Sequence, residues 1–126
     1  MFVLTSTHRF WWPVTVMLPD PVLTGRLVKQ GFEIRFEAMP QDEAIKLQAE
    51  LVALPLEEQL LRQHEQLTRV VKDWREVTDE NDNPVLFSDE TFRLALQQSW
   101  FRTGVWQAYF DALNGTETTP PARLGN

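Results

Sequence analysis

The sequence predicts an α+β fold: an N-terminal antiparallel β-hairpin or small sheet followed by about four α-helices, with a short hairpin near residues 75–87. Three observations carry this expectation. Apolar residues alternate along two N-terminal segments, the apolar period lengthens to that of a helix after Pro40, and clusters of Pro, Asn and Asp punctuate the rest of the chain.

In residues 12–18, Val14, Val16 and Leu18 share one face of a strand, and in residues 26–38, Val28, Phe32, Ile34 and Phe36 do the same. Glu33, Arg35 and Glu37 mark the other face of the second strand as wet, the alternation of an antiparallel sheet covered on one side. Pro19, Asp20, Pro21 and Gly25 form the connecting loop. Pro13 lacks an amide donor and belongs at the start of its strand or on a sheet edge. Phe10 and Trp12 have the inward parity, which turns Trp11 the other way.

Beyond Pro40, Ala44, Leu47, Leu51 and Leu54 follow one helical face, with Asp42 and Glu43 suited to the helix N-terminus. Pro55 breaks or restarts the helix. Leu60, His64, Leu67, Val71 and Trp74 then recur at helical spacing, with Leu56 and Val70 alongside, and predict an amphipathic helix through Trp74. His64 on that seam reads as a hydrogen-bonded core residue rather than a ligand or base. A turn-rich passage at 78–84 comes next, flanked by Val77 and Val85. Ser88 is placed to cap a helix whose inner face is Phe92, Ala95 and Leu96. The pattern loosens at 99–104, and a last helix runs to about Asn114, where Gly115 stops it. The chain thus reads as one domain over 1–114 and a flexible tail over 115–126.

Composition narrows the function. The chain has 126 residues, no cysteine, and 18 acidic against 12 basic residues for a net charge of -6. The absence of cysteine excludes a disulfide scaffold and thiolate metal sites, and fits a reducing cytoplasm. The acidic balance disfavours nucleic acid, whose phosphates attract basic surfaces. Neither a signal peptide nor a stretch of about 20 apolar residues is visible, so no membrane partner is expected. No Gly-rich phosphate loop, zinc-protease motif or nucleophile elbow is present, and the reading is that of a non-enzyme without catalytic residues, cofactor or metal.

Residues 79–90 nearly spell a calcium loop, with Asp79, Asn81, Asn83, Leu86 and Glu90 at suitable places. Pro84 occupies the position that needs a glycine, and a small hairpin explains the segment better. A calcium-binding module at 79–90 stays as a remote alternative.

The last helix is more informative. Phe101, Val105, Ala108 and Ala112 make one stripe, and Trp106, Phe110 and Leu113 a neighbouring one, with Tyr109 between. Together they span an arc of about 200°, where a surface helix needs only somewhat more than 100°. Either the helix is central and packed on two sides, or Trp106, Tyr109, Phe110 and Leu113, together with the outward Trp11, are partner-binding candidates.

The series Trp74-Arg-Glu-Val77-Thr-Asp-Glu80, then Pro84-Val-Leu-Phe-Ser88-Asp-Glu90, then Ala108-Tyr109, resembles the tail assembly chaperones of long, non-contractile-tailed phages and prophages. The likeness runs from about Trp12 to Asn114, although the usual small or glycine-bearing turn is here Asn81-Asp82-Asn83. It implies a protein that binds the tape measure protein, keeps it soluble until tail tube protein polymerises around it, acts in the host cytoplasm and is absent from the mature virion. It also implies that a longer frameshifted form is often made, for which a flexible tail would be the junction. Self-association is compatible with this role. The alternative is a permanent small structural tail or neck protein of a phage.

Overall fold

The computed structural model describes residues 1–118. Its elements run β1 (Arg9–Pro19), β2 (Leu27–Glu37), α1 (Gln41–Val52), α2 (Leu56–Val70), β3 (Val71–Arg75), α3 (Asp89–Leu96) and α4 (Ser99–Leu113). This is the α+β fold expected, with one rearrangement at β3. The proposed tail falls mostly on residues 119–126, outside the described residues.

β1 and β2 pair antiparallel along their full length, from Arg9 opposite Glu37 to Pro19 opposite Leu27. The Asp20 side chain closes the loop by accepting from the backbone N–H groups of Val22 (2.8 Å) and Leu23 (3.1 Å). These two bonds hold its carboxyl below the usual carboxylate range. Gly25 takes the left-handed conformation (φ 75°) that the reversal requires. The sheet order is β1-β2-β3, so β1 is an edge strand and Pro13 sits where its missing donor costs least.

α2 ends four residues earlier than the apolar rhythm predicts. Val71 and Trp74, expected on its seam, belong instead to β3, which pairs antiparallel with β2 through Arg75 opposite Glu33 and Trp74 opposite Ile34. The reason is long-range. β2 has a second edge to fill, the β-branched pair Val70 and Val71 favours extended backbone, and strand pairing overrides the local helical period. Trp74 is still buried, against Phe87, Phe92 and Phe101, and its indole N–H donates to the Val85 carbonyl at 2.8 Å.

β3 also corrects the expected wet face. Glu33 is only 7% exposed, because on the central strand it lies between Pro13 of β1 and Arg75 of β3, whose Nε donates to its carboxylate at 2.6 Å. Arg35 remains exposed, and Glu37 is half-buried between Arg9 (3.0 Å) and Lys72 (3.6 Å). The Arg9 hydrogen bond, with the charges of Arg9 and Lys72, holds the Glu37 carboxyl below its ordinary value.

Between β3 and α3 the chain forms the anticipated small hairpin. Val85 N–H reaches the Val77 carbonyl, Asp79 N–H reaches Asn83, and Asp79 Oδ1 accepts from the N–H groups of Asn81 and Asn83. Asp82 takes φ 61°, the left-handed residue that follows the turn in a three-residue hairpin loop. The Asp79 carboxylate is spent on the turn, and the extended calcium loop is not adopted.

Ser88 caps α3 as expected. Its hydroxyl accepts from Thr91 N–H (3.1 Å), while Thr91 Oγ1 accepts from Ser88 N–H (2.9 Å), a capping box with threonine in the usual Glu position. α4 already begins at Ser99, where the apolar pattern is loose. It ends with Gly115 at φ 71°, Thr116 N–H reaching Asp111 and Gly115 N–H reaching Ala112, the Schellman arrangement.

α4 lies across the inner face of the sheet, Phe101 stacked on Phe32 (5.5 Å) and Tyr109 against Phe36 (5.3 Å). It passes β1 so closely at Gly104 that a Cβ there would stand 2.6 Å from the Thr15 carbonyl oxygen. Val14, Ile34, Phe36, Leu67, Phe92, Leu96 and Val105 complete the fully buried core between sheet and helices. No helix among the described residues is long and apolar enough to cross a membrane.

Candidate partner-binding surface

The helical hairpin α1–α2 is the least embedded part of the fold. Pro40 and Pro55 set the start of each helix, and Gln59 Nε2 donates to the Leu54 carbonyl to fix the joint. Of α1 only Leu51 is buried, and of α2 only Leu67 and Val70, at the end that meets β3. Ala44, expected on the inner face of α1, is exposed. Ile45, Val52, Leu56, Leu60 and Leu61 also remain exposed, Leu56 at 73%. The reason is geometric: α1 packs chiefly on α2, and its other sides are left largely open.

Where this hairpin approaches α4 it leaves a groove of about 570 Å³. One wall is Trp106, Tyr109, Phe110 and Leu113 of α4; the other is Ala44 and Gln48 of α1 and Gln66 and Val70 of α2, with Met39 and Gln41 at the end. None of the lining residues carries a charge. The surface is therefore apolar with three side-chain amides, able to bury an apolar stripe and to hydrogen-bond at its margin.

The five candidate residues divide by position. Trp106, Phe110 and Leu113 meet in the groove. Phe110 is 54% exposed, and Trp106 is half-buried, packed at 5.8 Å on Phe110 and edge-on at 6.4 Å to Tyr109. Tyr109 is not an exposed anchor. It is 7% exposed because it points to the sheet, where its hydroxyl accepts from Met39 N–H at 3.2 Å, and it forms the groove floor. Trp11 lies on the opposite face of the sheet from α4 and is not part of this surface. It is half-buried beneath the Arg75 guanidinium, 4.2 Å from the ring centroid, in a cation–π contact.

Sequence reasoning missed the second wall. Met39, Gln41, Gln48 and Gln66 give no signal of their own, although the shortage of buried residues on α1 is visible as polar and charged positions on three of its sides.

His64 stands partly buried on α2. Desolvation first, and the positive charge of Arg102 second, hold its pKa below the ordinary 6.5, so the neutral ring is favoured. Along their length α1 and α2 carry Asp42, Glu43, Glu50, Glu57, Glu58 and Glu65 against Lys46, Arg62 and Arg69. Arg62 pairs with Glu65 and Arg69 with Glu43, and the two helices together are net acidic. Among the described residues no group of three or more His, Asp or Glu side chains converges as metal ligands would.

Comparison with known protein families, curated proteins and solved structures finds no match to this chain.

Proposed function

We propose that this protein is a non-catalytic, stoichiometric binding protein: a phage tail assembly chaperone that binds the tape measure protein, keeps it soluble and promotes tail tube assembly. The observation that supports this most is the uncharged groove between α1–α2 and α4, with Phe110 and Leu113 standing half out of it. A long helical protein with an apolar stripe associates with itself in water. A groove of this kind covers such a stripe by helix-in-groove packing, and the net charge of -6 keeps the complex dispersed. Release needs no nucleotide if tube protein competes for the same stripe. On this reading the protein works in the host cytoplasm and leaves before the virion matures.

The direct test is co-expression with a phage tape measure protein. The expected outcome is a larger soluble fraction of that protein and a shared elution peak; an insoluble product with no co-purification refutes the reading.

A permanent tail or neck subunit is the second reading. It is favoured by Met1, Phe2, Val3 and Leu4, which precede β1 and are exposed, Leu4 at 88%, as residues covered by a lasting assembly would be. Mass spectrometry of purified virions separates the two, since a chaperone is missing and a subunit is retained.

A further inference from the structure

A second cleft, sharing no lining residue with the groove, opens between the ends of β1 and β2, the hairpin after β3 and the junction of α3 with α4. Its volume is about 730 Å³. The floor is apolar: Val16, Phe32 and Phe101 are buried, and Leu18, Val77 and Trp100 are half-buried. One rim consists of Glu76, Asp79, Glu80 and Asp82, and among the described residues no Lys, Arg or His lines the cleft.

The fold holds that rim in place at some expense. Glu76 and Asp82 both adopt left-handed backbone (φ 66° and 61°), and Asp79 ties the turn between them. Asp79 is bound to the backbone of its own turn and Glu76 interacts with the neighbouring Arg75, so Glu80 and Asp82 carry most of the charge that a cation seated across the cleft meets. A single metal ion does not fit, because these side chains do not converge as a ligand group. They are spread along an edge beside an apolar floor. A phosphate-bearing ligand is repelled by the same charges.

We infer that this cleft docks a cationic amphipathic segment of a protein partner, one whose Leu or Phe side chain enters between Phe101, Trp100 and Val77 while flanking Lys or Arg side chains meet the 76–82 rim. Charge complementarity decides the occupant, and apolar burial holds it. The cleft is independent of the chaperone reading: the groove can be vacant or filled while the cleft is tested.

The experiment uses the full chain and, as probe, the blocked peptide Lys-Leu-Lys-Phe-Lys-Leu-Lys, with the same peptide carrying Glu for every Lys as its counterpart. Calorimetry gives the affinities, and amide correlation spectra follow the indole N–H signals of the five tryptophans. The Lys peptide binds at low salt, the Glu peptide does not, and the Trp100 signal moves while that of Trp106 stays. Glu80→Gln and Asp82→Asn, both on the exposed turn and both compatible with its backbone, each weaken binding about threefold and together about tenfold. Raising salt to about 0.3 M removes most of the difference. Equal binding of the two peptides, a double variant within twofold of the parent, or movement of Trp106 in place of Trp100 overturns the inference. So does self-association that shifts Trp100 without peptide, which assigns the cleft to a second copy of the chain.

Discussion

Gly104→Ala isolates the contact that positions α4. In the interior of an unconstrained helix, alanine is about 1 kcal/mol better than glycine, so the change alone stabilises. Here the added carbon falls 2.6 Å from the Thr15 carbonyl oxygen and 3.1 Å from Val16 Cγ2. Thr15 O is backbone within β1 and does not rotate away. The helix must retreat by about 0.5 Å, which loosens Phe101, Val105 and Ala108 against the sheet; overpacking of this kind costs about 1–3 kcal/mol, and a backbone obstacle puts it in the upper half. After the propensity gain, the net loss is about 1–2 kcal/mol, or a Tm lower by about 4–10 °C. Urea unfolding followed by tryptophan fluorescence and a thermal melt by circular dichroism measure it. The neighbouring, exposed Thr103→Ala is the control, neutral or raised by about 0.5 kcal/mol. A Gly104→Ala protein at or above the parent Tm refutes the close packing of α4 on β1.

Four further outcomes are expected. Ser88→Ala removes the α3 cap and costs about 1 kcal/mol in urea unfolding, with the fold retained. Trp74→Phe breaks the indole bond to the Val85 carbonyl, whereas the Trp12 indole N–H is buried with no acceptor among the described residues, so Trp74→Phe costs about 1 kcal/mol more than Trp12→Phe. The folded-state pKa of His64 is lowered, so the unfolded chain binds the extra proton first; its contribution is full above 6.5 and is lost as pH falls from 6.5 through the folded value. His64→Gln flattens that part of a Tm-against-pH curve between pH 5 and 7, and an unchanged slope contradicts it. Phe110→Ala, at a half-exposed position, lowers stability by less than about 1 kcal/mol, and Trp106→Ala, packed on Tyr109, by more.

What the residues disclose beforehand depends on how local each decision is. The alternation from Val14 to Leu18 and from Val28 to Phe36 is a two-residue period with one solution, and both strands obey it. Ser88 and Gly115 act on their own neighbours, and Ser88 starts α3 and Gly115 ends α4 as their chemistry dictates. Val71 and Trp74 satisfy a helical spacing equally well, and only the vacant edge of β2, far earlier in the chain, turns them into a strand. The same distance hides the burial of Glu33, which needs Arg75 beside it.

The groove is half legible in the residues. A surplus of apolar arc on α4 indicates Trp106, Phe110 and Leu113, because a helix wheel counts faces without tertiary information. It does not tell which side Tyr109 takes, since that depends on where the sheet lies. The opposing wall from Met39 to Gln48 depends on how the α1–α2 hairpin leans toward α4, a relation between elements that no local pattern encodes. Strand parity alone turns Trp11 outward, but its cover by Arg75 arises from pairing across β2.

The central claim is that the exposed α4 residues hold a helical partner. Co-purification of a co-expressed tape measure protein with the parent chain and with the double variant Phe110→Asp, Leu113→Asp tests it most directly. With the Tm of the variant within a few degrees of the parent, as half-exposed positions predict, recovery of the partner falls at least about tenfold. Full recovery by that folded variant contradicts the claim.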